Sequence, residues 1–326
     1  MILLLGASGY IGQFFSCELR RRGCDFIPLT RKALDYSDFN LLFNFVRKTR
    51  PAFVINAAGR AGKPGLEICE HERAAMLFAN TLLPQTIAKV CLMTNTPWGH
   101  VSSACIYSGA KVRNDGSMTV ERNFSRPELL RLLAEHPENV RGYTEWDEPN
   151  FSFRHAPCNF YSGTKVLAEE AIQGVGLNYI WRLGTPFNER DESRNFLSQI
   201  QNQTKVYDDV ISLSHTNDFV QACLELWKRR APFGIYNVTN PGSVTTRQVA
   251  EMIQHRLKPN GGFEFWQDDP EFDRDGAKKP DTHCLIDTAK LLATGVKIRP
   301  VTEALEEALQ NWRAATPFTE LIRTAA

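Results

Sequence analysis

Residues 1–12, MILLLGASGYIG, hold the pattern from which we predict the fold. An apolar run over residues 1–5 predicts a buried strand, and an amphipathic pattern over 11–22 predicts a helix. Between them, Gly6 permits a tight turn, Gly9 lets the backbone approach a pyrophosphate, and Gly12 lets the helix pack on the strand. The helix N-terminus adds free N–H groups and a positive dipole. We therefore predict a dinucleotide-binding turn, which also includes Ser8, Tyr10 and Ile11. A glycine-rich turn without a ligand is the alternative.

The same alternation continues along the chain. Further strands are predicted at 25–30, 52–58, 98–103, 178–183 and 234–239, and further helices at 37–49, 72–93, 159–173, 193–202, 216–229, 245–257 and 301–313. Strand–helix alternation at this spacing predicts α/β architecture with a doubly wound parallel Rossmann sheet. We expect a dinucleotide-binding domain over 1–180 and a smaller mixed α/β substrate lobe over 181–326, with 216–240 returning to the first domain.

Residues 110–146 break this rhythm. The segment is polar, and a short helix is expected over Asn123–Glu135. Long excursions in compact domains often form lids or interfaces. We expect this one to be a lid or a dimer contact.

Composition excludes several classes of protein. The chain has 326 residues with 38 basic and 37 acidic side chains, a formal net charge of +1, so no bulk attraction to nucleic acid or anionic membranes is expected. No apolar run approaches the ~20 residues of a membrane span, and the opening apolar run is too short for a signal peptide. A cytoplasmic location is expected. The eight cysteines form no Cys-x-x-Cys pair, which argues against a disulfide framework or a metal site.

The end of the second strand bears on the choice of cofactor. An acid there grips the ribose 2′-hydroxyl when NAD is bound. Here the sequence reads Leu29-Thr30-Arg31-Lys32, and two cations suit a 2′-phosphate. We therefore predict NADPH, with NADH as the alternative, and Asp35 near the adenine edge. A solvated surface pair is the other interpretation of the two cations.

Three residues predict carbonyl chemistry. Tyr161 and Lys165 are four apart on a predicted helix and share one face. A nearby ammonium is expected to lower the tyrosine pKa from about 10, so that the hydroxyl can pass a proton to a carbonyl oxygen. Ser103 ends the fourth strand at the carboxyl edge, where ligands bind in open sheets. A surface pair of tyrosine and lysine without catalytic function is the alternative.

These motifs resemble the extended short-chain dehydrogenase/reductase superfamily, and within it plant nucleotide-rhamnose synthase/epimerase-reductases and the more distant dTDP-4-dehydrorhamnose reductases. The stretches that carry the resemblance are NAAGRAGKPGLEICE (56–70), ACIYS (104–108), DEPNF (147–151), FYSGTK (160–165), RNF (194–196), GIYNVTNPG (234–242) and IDTAKL (286–291). They run in order over most of the chain, whereas 110–146 lies outside the pattern.

The resemblance implies reduction of the C4 ketone of a nucleotide-linked 4-keto-6-deoxyhexose. Tyr161 would be the proton donor, Lys165 its electrostatic partner and ribose contact, and Ser103 a donor to the ketone. Further contacts to the cofactor are implied for Asn56, Ala57, Ala58, Gly59 and Asn80. Two alternatives stay open: reduction of another carbonyl on the same scaffold, or a non-catalytic NADP-binding regulatory subunit.

Epimerisation at C3 and C5 is an open question. The resemblance assigns a cysteine two residues after the catalytic serine as one proton carrier, and Cys105 occupies that position, although a buried structural cysteine is as good an interpretation. The second carrier in the family is a lysine or histidine three residues after Arg-Asn-Phe, where this chain has Gln199. An amide cannot exchange protons at neutral pH. His155 and His215 are the candidates to replace it.

Substrate contacts are expected from Ser103, Cys105, Gln199, Arg194 and Asn195. Arginine suits a diphosphate through its planar fork. The backbone of the Asn240-Pro-Gly242 turn is expected to face the nucleotide, and Lys279 and Lys290 are candidates to reach phosphate. A surface or structural role is the alternative for these residues. The sequence leaves the nucleotide base open, and the resemblance favours a homodimer.

Overall fold

Six parallel strands form the central sheet in the computed structural model, which describes residues 1–62, 67–122, 127–156, 158–258, 261–265 and 283–314. In chain order these strands are β1 (Ile2–Leu5), β2 (Phe26–Leu29), β3 (Phe53–Asn56), β4 (Trp98–Ser103), β8 (Asn178–Leu183) and β13 (Gly234–Val238). Their spatial order is β2-β1-β3-β4-β8-β13. The chain reverses its winding between β1 and β3, so a crevice opens there at the carboxyl ends of the strands.

Helices cover both faces of this sheet. On one face α1 (Tyr10–Arg21) packs against α9 (Thr216–Lys228), and its Phe14 and Phe15 share a buried cluster with Phe219. The other face carries α2 (Phe39–Thr49), α5 (Leu83–Met93) and α7 (Phe160–Ile172). Strands covered on both faces consist of continuous apolar residues, as β1 does and as β3 does before Asn56. The predicted doubly wound α/β fold is confirmed.

The helix predicted over 72–93 is divided. It consists of α4 (Arg73–Leu77), a π turn (Phe78–Leu82) and α5, and a separate short helix α3 (Glu67–His71) precedes it. Pro84 has no N–H to donate inside the helix, which favours a local change of hydrogen bonding. The π turn contains the fully buried Asn80.

In the part of the chain that the structure describes, the helical run Arg73–Met93 is long and apolar enough to cross a membrane, with half of its most apolar window buried inside the protein. That differs from the expectation that no run approaches this length. Core helices meet the same test, so the run is weak evidence for a membrane span.

The excursion over 110–146 contains more structure than the predicted helix. Strands β5 (Ala110–Asn114), β6 (Ser117–Glu121) and β7 (Val140–Arg141) form an antiparallel sheet, and α6 (Pro127–Glu135) follows the hairpin. The hairpin turn is Asp115-Gly116, both with positive φ, which is a sequence signal for such a turn that the prediction did not use. The predicted start of the helix, residues 123–126, lies outside the described residues.

The C-terminal half adds small sheets around a third apolar cluster. Its elements are β9 (Thr185–Phe187), α8 (Phe196–Gln201), β10 (Lys205–Val206), β11 (Val210–Ile211), β12 (Leu213–His215), β14 (Val244–Thr245), α10 (Thr246–Leu257), β15 (Glu264–Phe265), α11 (Ala289–Ala293) and α12 (Val301–Gln310). β8 crosses the predicted boundary at residue 180, and β13 lies beside β8 in the central sheet. The assignment of substrate binding to a C-terminal lobe stays a prediction.

Candidate active site

The glycine turn after β1 leaves no room for side chains. Gly6 has φ +77°, and a Cβ there would lie 2.5 Å from the Ala58 nitrogen. A Cβ on Gly12 would lie 2.1 Å from the Gly6 carbonyl oxygen. Gly9 stands before α1 in extended conformation, and no side chain among the described residues caps the helix. The first N–H groups of the helix therefore face the crevice without a side-chain partner, as phosphate binding requires.

The other residues predicted to bind the cofactor lie around this turn. Ser8 is exposed, whereas Tyr10 and Ile11 are half-buried at the start of α1. After β2, Arg31 is exposed and available to an anion, and Asp35 accepts hydrogen bonds from the Ser37 hydroxyl and N–H. This arrangement fits a dinucleotide with a 2′-phosphate.

Asn56 fixes the segment that follows β3. Its Oδ1 accepts the Ala58 N–H at 3.0 Å, so its amide nitrogen faces His100 Nδ1, also at 3.0 Å. Burial and the charge of Lys165 hold the pKa of His100 well below its usual range. His100 is therefore neutral and accepts the amide proton. Sequence reasoning missed His100, which lies opposite Asn56 in the register of β3 and β4.

Asn80 secures the same segment from the helical side. Its side chain accepts the Arg60 N–H at 2.8 Å, donates to the Arg60 carbonyl at 2.9 Å, and donates to Thr164 Oγ1 at 3.2 Å. A Cβ on Gly59 would lie 3.6 Å from Lys165 Nζ. Residues 56–60 are thus brought against Lys165.

Ser103, Tyr161 and Lys165 lie together at the carboxyl edge of the sheet. Ser103 closes β4, and Tyr161 stands in the first turn of α7, which Asn159 caps through the Ser162 N–H at 2.7 Å. The Ser103 hydroxyl lies close enough to the Tyr161 phenol to act on its pKa. Lys165 Nζ lies 5.7 Å from the Tyr161 ring centre and donates to the Val101 carbonyl at 3.3 Å.

The protonation of this group differs from the expectation. The predicted lowering of the Tyr161 pKa is wrong for the protein alone: burial raises it, and the nearby Cys105 and Cys69 raise it further. Burial also lowers the pKa of Lys165 to about 8 against the favourable charge of Glu169. The tyrosine is a neutral phenol at pH 7, which is the form that donates a proton.

Cys105 belongs to this group by position. It is half-buried, its N–H donates to Ser103 Oγ at 3.2 Å, and its sulfur lies close enough to influence the titration of Tyr161 and Lys165. Gln199 is exposed and donates to the Ser193 carbonyl at 3.1 Å.

The two residues of the Arg-Asn-Phe motif have different surroundings. The Arg194 guanidinium lies 6.0 Å from the Tyr10 ring centre, beside the glycine turn. Asn195 is fully buried and caps α8, and it donates to the carbonyls of Asn188 and Arg190. The amide of Asn195 thus holds the local backbone together, and its contact with substrate stays a prediction.

The two candidate histidines lie next to carboxylates. His155 Nε2 lies 3.4 Å from Glu148. His215 is buried, with Glu189 3.6 Å from Nε2 and Asp218 3.5 Å from Nδ1. His215 and Arg299 both line a cavity of about 710 Å³. Among their contacts in the described part of the chain, neither imidazole has a partner in the Ser103 group.

The weaker phosphate candidates also have observed surroundings. Asn240 donates to Asp218 at 2.8 Å, and Lys290 donates to the Ile235 carbonyl at 2.7 Å. Gly242 has φ +93° in its turn. Lys279 lies outside the described residues.

The chain is similar in sequence to proteins of known family. The sequence profile of the RmlD substrate binding domain matches residues 1–314. A trifunctional UDP-glucose 4,6-dehydratase/UDP-4-keto-6-deoxy-D-glucose 3,5-epimerase/UDP-4-keto-L-rhamnose-reductase of Arabidopsis thaliana is 26% identical over 260 residues, which cover 79% of this chain. The chain spans about a third of that relative, 34% of its length. A bifunctional dTDP-4-dehydrorhamnose 3,5-epimerase/dTDP-4-dehydrorhamnose reductase of the same plant is 25% identical, covering 79% of this chain and 76% of its own.

Solved structures share the fold. The L780 UDP-rhamnose synthase of Acanthamoeba polyphaga mimivirus superposes with a TM-score of 0.77 at 20% identity, covering 95% of this chain and 98% of its own. The dTDP-4-dehydrorhamnose reductase of Bacillus anthracis, in complex with NADP, gives 0.69 at 19% identity, covering 95% and 97%. These matches confirm the resemblance derived from the motifs, and because the family profile covers nearly the whole chain, the protein belongs to the RmlD substrate binding domain family.

Proposed function

We propose that this protein is an NADPH-dependent 4-ketoreductase of a nucleotide-linked 4-keto-6-deoxyhexose, as in the synthesis of nucleotide-activated rhamnose. The observation that carries the proposal is the group of Ser103, Tyr161 and Lys165 at the carboxyl edge of the sheet, close to the segment 56–60. The reductases among the relatives support the choice of substrate class.

The chain's own residues supply proton transfer and orientation. NADPH, when bound, supplies the hydride that reaches C4. Tyr161 Oη gives its proton to the ketone oxygen, which becomes a hydroxyl, and Ser103 Oγ orients that oxygen by a hydrogen bond. The Lys165 ammonium stabilises the phenolate that Tyr161 becomes.

The preference for NADPH rests on the exposed cations after β2. Arg31 and Lys32 are exposed and follow β2 closely, which supports recognition of a ribose 2′-phosphate, since arginine binds phosphate with two parallel N–H groups. Comparing the Kd values of NADPH and NADH by cofactor fluorescence tests this part; equal affinities would reject it.

Epimerisation is a second candidate activity, favoured by the position of Cys105 beside Tyr161 and Lys165. It requires a second proton carrier on the other face of the sugar ring. Gln199 cannot be that carrier, because an amide does not exchange protons at neutral pH.

One experiment tests both activities. NADPH oxidation is followed with freshly prepared UDP-, dTDP- and GDP-4-keto-6-deoxyhexoses in deuterated water, and the product is analysed by NMR. Turnover without deuterium at C3 or C5 is the result for a C4 reductase, and label at either carbon shows epimerisation. Absence of turnover with every sugar while NADPH binds would overturn the proposal, in favour of another carbonyl or a regulatory NADP-binding subunit.

Two further expectations belong to the proposal, namely a homodimer and a cytoplasmic location. Light scattering after gel filtration tests the first, and fractionation of source cells tests the second.

A further inference from the structure

A buried carboxylate stands one helical turn beyond Lys165. Glu169 is 4% exposed, and its Oε1 accepts the Ser102 hydroxyl at 2.5 Å. Ser102 precedes Ser103 on β4, so this bond joins α7 directly to the strand end that carries the serine of the active site. Since residues four apart share a helix face, Glu169 and Lys165 point to the same side of α7.

Arg182 completes the surroundings of this carboxylate. From β8 it donates to Glu169 through Nη2 at 2.7 Å and through Nε at 3.1 Å. Its Nη1 donates to the Tyr107 hydroxyl at 2.9 Å. Tyr107 in turn donates to the Asp147 carbonyl at 2.7 Å and stacks on Tyr143. These contacts connect Glu169 through Arg182 to Tyr107, which lies two residues after Cys105.

We propose that Glu169 is a positioning residue for the proton transfer, because it fixes the Ser102–Ser103 strand end and supplies the counter-charge to the Lys165 ammonium. The inference rests on the proposed function and deepens it. Glu169 contacts Ser102 and Arg182, so it acts on the reaction through other residues.

The electrostatic part of the argument depends on every charged or titratable group that faces Lys165. On α7 these are Tyr161 and Glu169, and from β4 and the loop after it they are His100 and Cys105. His100 is neutral and Tyr161 is a neutral phenol at pH 7. Among the described residues, the Glu169 carboxylate, which also pairs with Arg182 from β8, is the larger charge that opposes the effect of burial on the ammonium, and Cys105 is the smaller one.

A purely structural role for the buried pair is the competing explanation. Removing one partner of a buried ion pair is strongly destabilising whether or not the reaction uses it. Loss of activity alone therefore decides nothing. The pH at which Lys165 loses its proton separates the two explanations, because a structural bridge would not move it.

The experiment compares Glu169→Gln and Glu169→Asp with Glu170→Gln. Glu170 is the matched control, since it follows directly on α7 and pairs with the exposed Arg154 at 2.5 Å. The pH dependence of kcat/KM is measured with NADPH and the 4-keto sugar that wild type reduces. For Glu169→Gln we expect the alkaline limb to move down by about one to three pH units. Glu169→Asp keeps the charge, so its limb stays within about one unit of wild type although kcat falls. An unmoved limb in Glu169→Gln would overturn the proposal.

A second measurement keeps the test valid where turnover or folding fails. Lys165 is titrated by NMR in full-length protein labelled with [ε-13C]lysine, with Lys165→Met used for assignment. Should Glu169→Gln not fold, Glu169→Gln/Arg182→Met removes both buried charges and still lacks the counter-charge. A lower Lys165 titration point supports the proposal, and an unchanged one rejects it. A wild type without turnover rejects the proposed function instead, and the titration still decides the role of Glu169.

Discussion

At the scale of single residues, Lys165 is the member of the candidate site whose charged form burial disfavours. The residue is 5% exposed, its ammonium donates to the Val101 carbonyl, and the charge of Glu169 acts on its pKa. Burial disfavours the charged form, which is why its pKa falls from 10.5 to about 8. Lys165 is therefore charged at neutral pH but close to losing its proton.

This position predicts the pH dependence of the reaction. The proton donation by Tyr161 needs the ammonium, so kcat/KM for the 4-keto sugar is expected to be constant below pH 7.5 and to fall tenfold per unit above about pH 8. Steady-state rates between pH 6 and 10 measure this limb. A plateau extending beyond pH 10 would show that Lys165 does not titrate in this range.

Lys165 also predicts an effect on stability. Its folded pKa lies below the unfolded value, so the folded chain binds fewer protons between about pH 8 and 10.5 and the free energy of unfolding rises with pH across that window. Lys165→Met is therefore expected to stabilise the protein without cofactor, by up to about 3 kcal/mol at pH 7. Urea unfolding measures it, with the exposed Lys48→Met as the control expected to change little. Destabilisation by Lys165→Met would contradict the argument.

Tyr161→Phe isolates the proton donor. Only the hydroxyl is lost, so α7 and its cap at Asn159 stay intact. We expect kcat to fall about 100- to 10,000-fold, the usual contribution of a general acid, with the Kd of NADPH unchanged. Rapid-mixing kinetics and cofactor fluorescence measure the two quantities. A variant as active as wild type would favour the regulatory-subunit interpretation.

At the scale of elements, the contact between the glycine turn and the segment after β3 decides whether the crevice can hold a dinucleotide. The backbones of Gly6 and Ala58 approach so closely that no side chain fits between them. The same closeness lets Asn56 and Asn80 hold residues 56–60 against Lys165. The turn after β1 and the segment after β3 therefore lie together with Lys165 at the predicted cofactor site.

Gly12→Ala tests this packing. In an ordinary helix interior the change would stabilise by about 1 kcal/mol, because alanine is the better helix former. Here the new Cβ would lie 2.1 Å from the Gly6 carbonyl, so we expect destabilisation by about 1–3 kcal/mol and at least tenfold weaker NADPH binding. Gly262→Ala, whose Cβ would contact nothing within 4 Å, is the control. Equal stability of the two variants would reject the tight packing.

At the scale of the whole molecule, the excursion over 110–146 is built into the fold at both ends. Its Tyr143 N–H donates to the Leu285 carbonyl at 2.8 Å, and Glu145 accepts the Asn237 N–H at 2.8 Å. Val112 and Val140 share a buried cluster with Val210 of the C-terminal half. A lid or dimer contact at its outer face stays a prediction, since these contacts describe only its inner face.

Asn237 connects three parts of the chain by hydrogen bonds, so we expect these parts to unfold together. From β13 its amide donates to the Tyr143 carbonyl at 2.9 Å and the Asp287 carbonyl at 3.0 Å. Asn237→Ala leaves two buried carbonyls without this donor, so we expect a loss of about 1–3 kcal/mol in a single unfolding transition. Asn202→Ala, at the exposed end of α8, is the control. Two separate transitions in calorimetry would show that the excursion unfolds independently.

The sequence alone is enough to predict the central sheet, which the structure confirms, and a candidate catalytic group, whose role stays a prediction. β4 and β8 have the predicted bounds, and the glycine turn and the spacing of Tyr161 and Lys165 are local patterns that chain geometry converts directly into position. Such features are readable because strand and helix periods depend on neighbouring residues alone.

The burial, charge and proton affinity of those residues depend on how the chain packs in three dimensions. Burial raised the Tyr161 pKa where the sequence predicted a lowering, because spacing shows a nearby ammonium but not the loss of solvent around the phenol. Likewise, the partnership of Glu169 with Ser102 and Arg182 joins residues up to 67 positions apart, which are brought together only when α7 packs on the sheet. Periodicity places side chains on faces, whereas charge and proton affinity depend on the three-dimensional environment that folding creates.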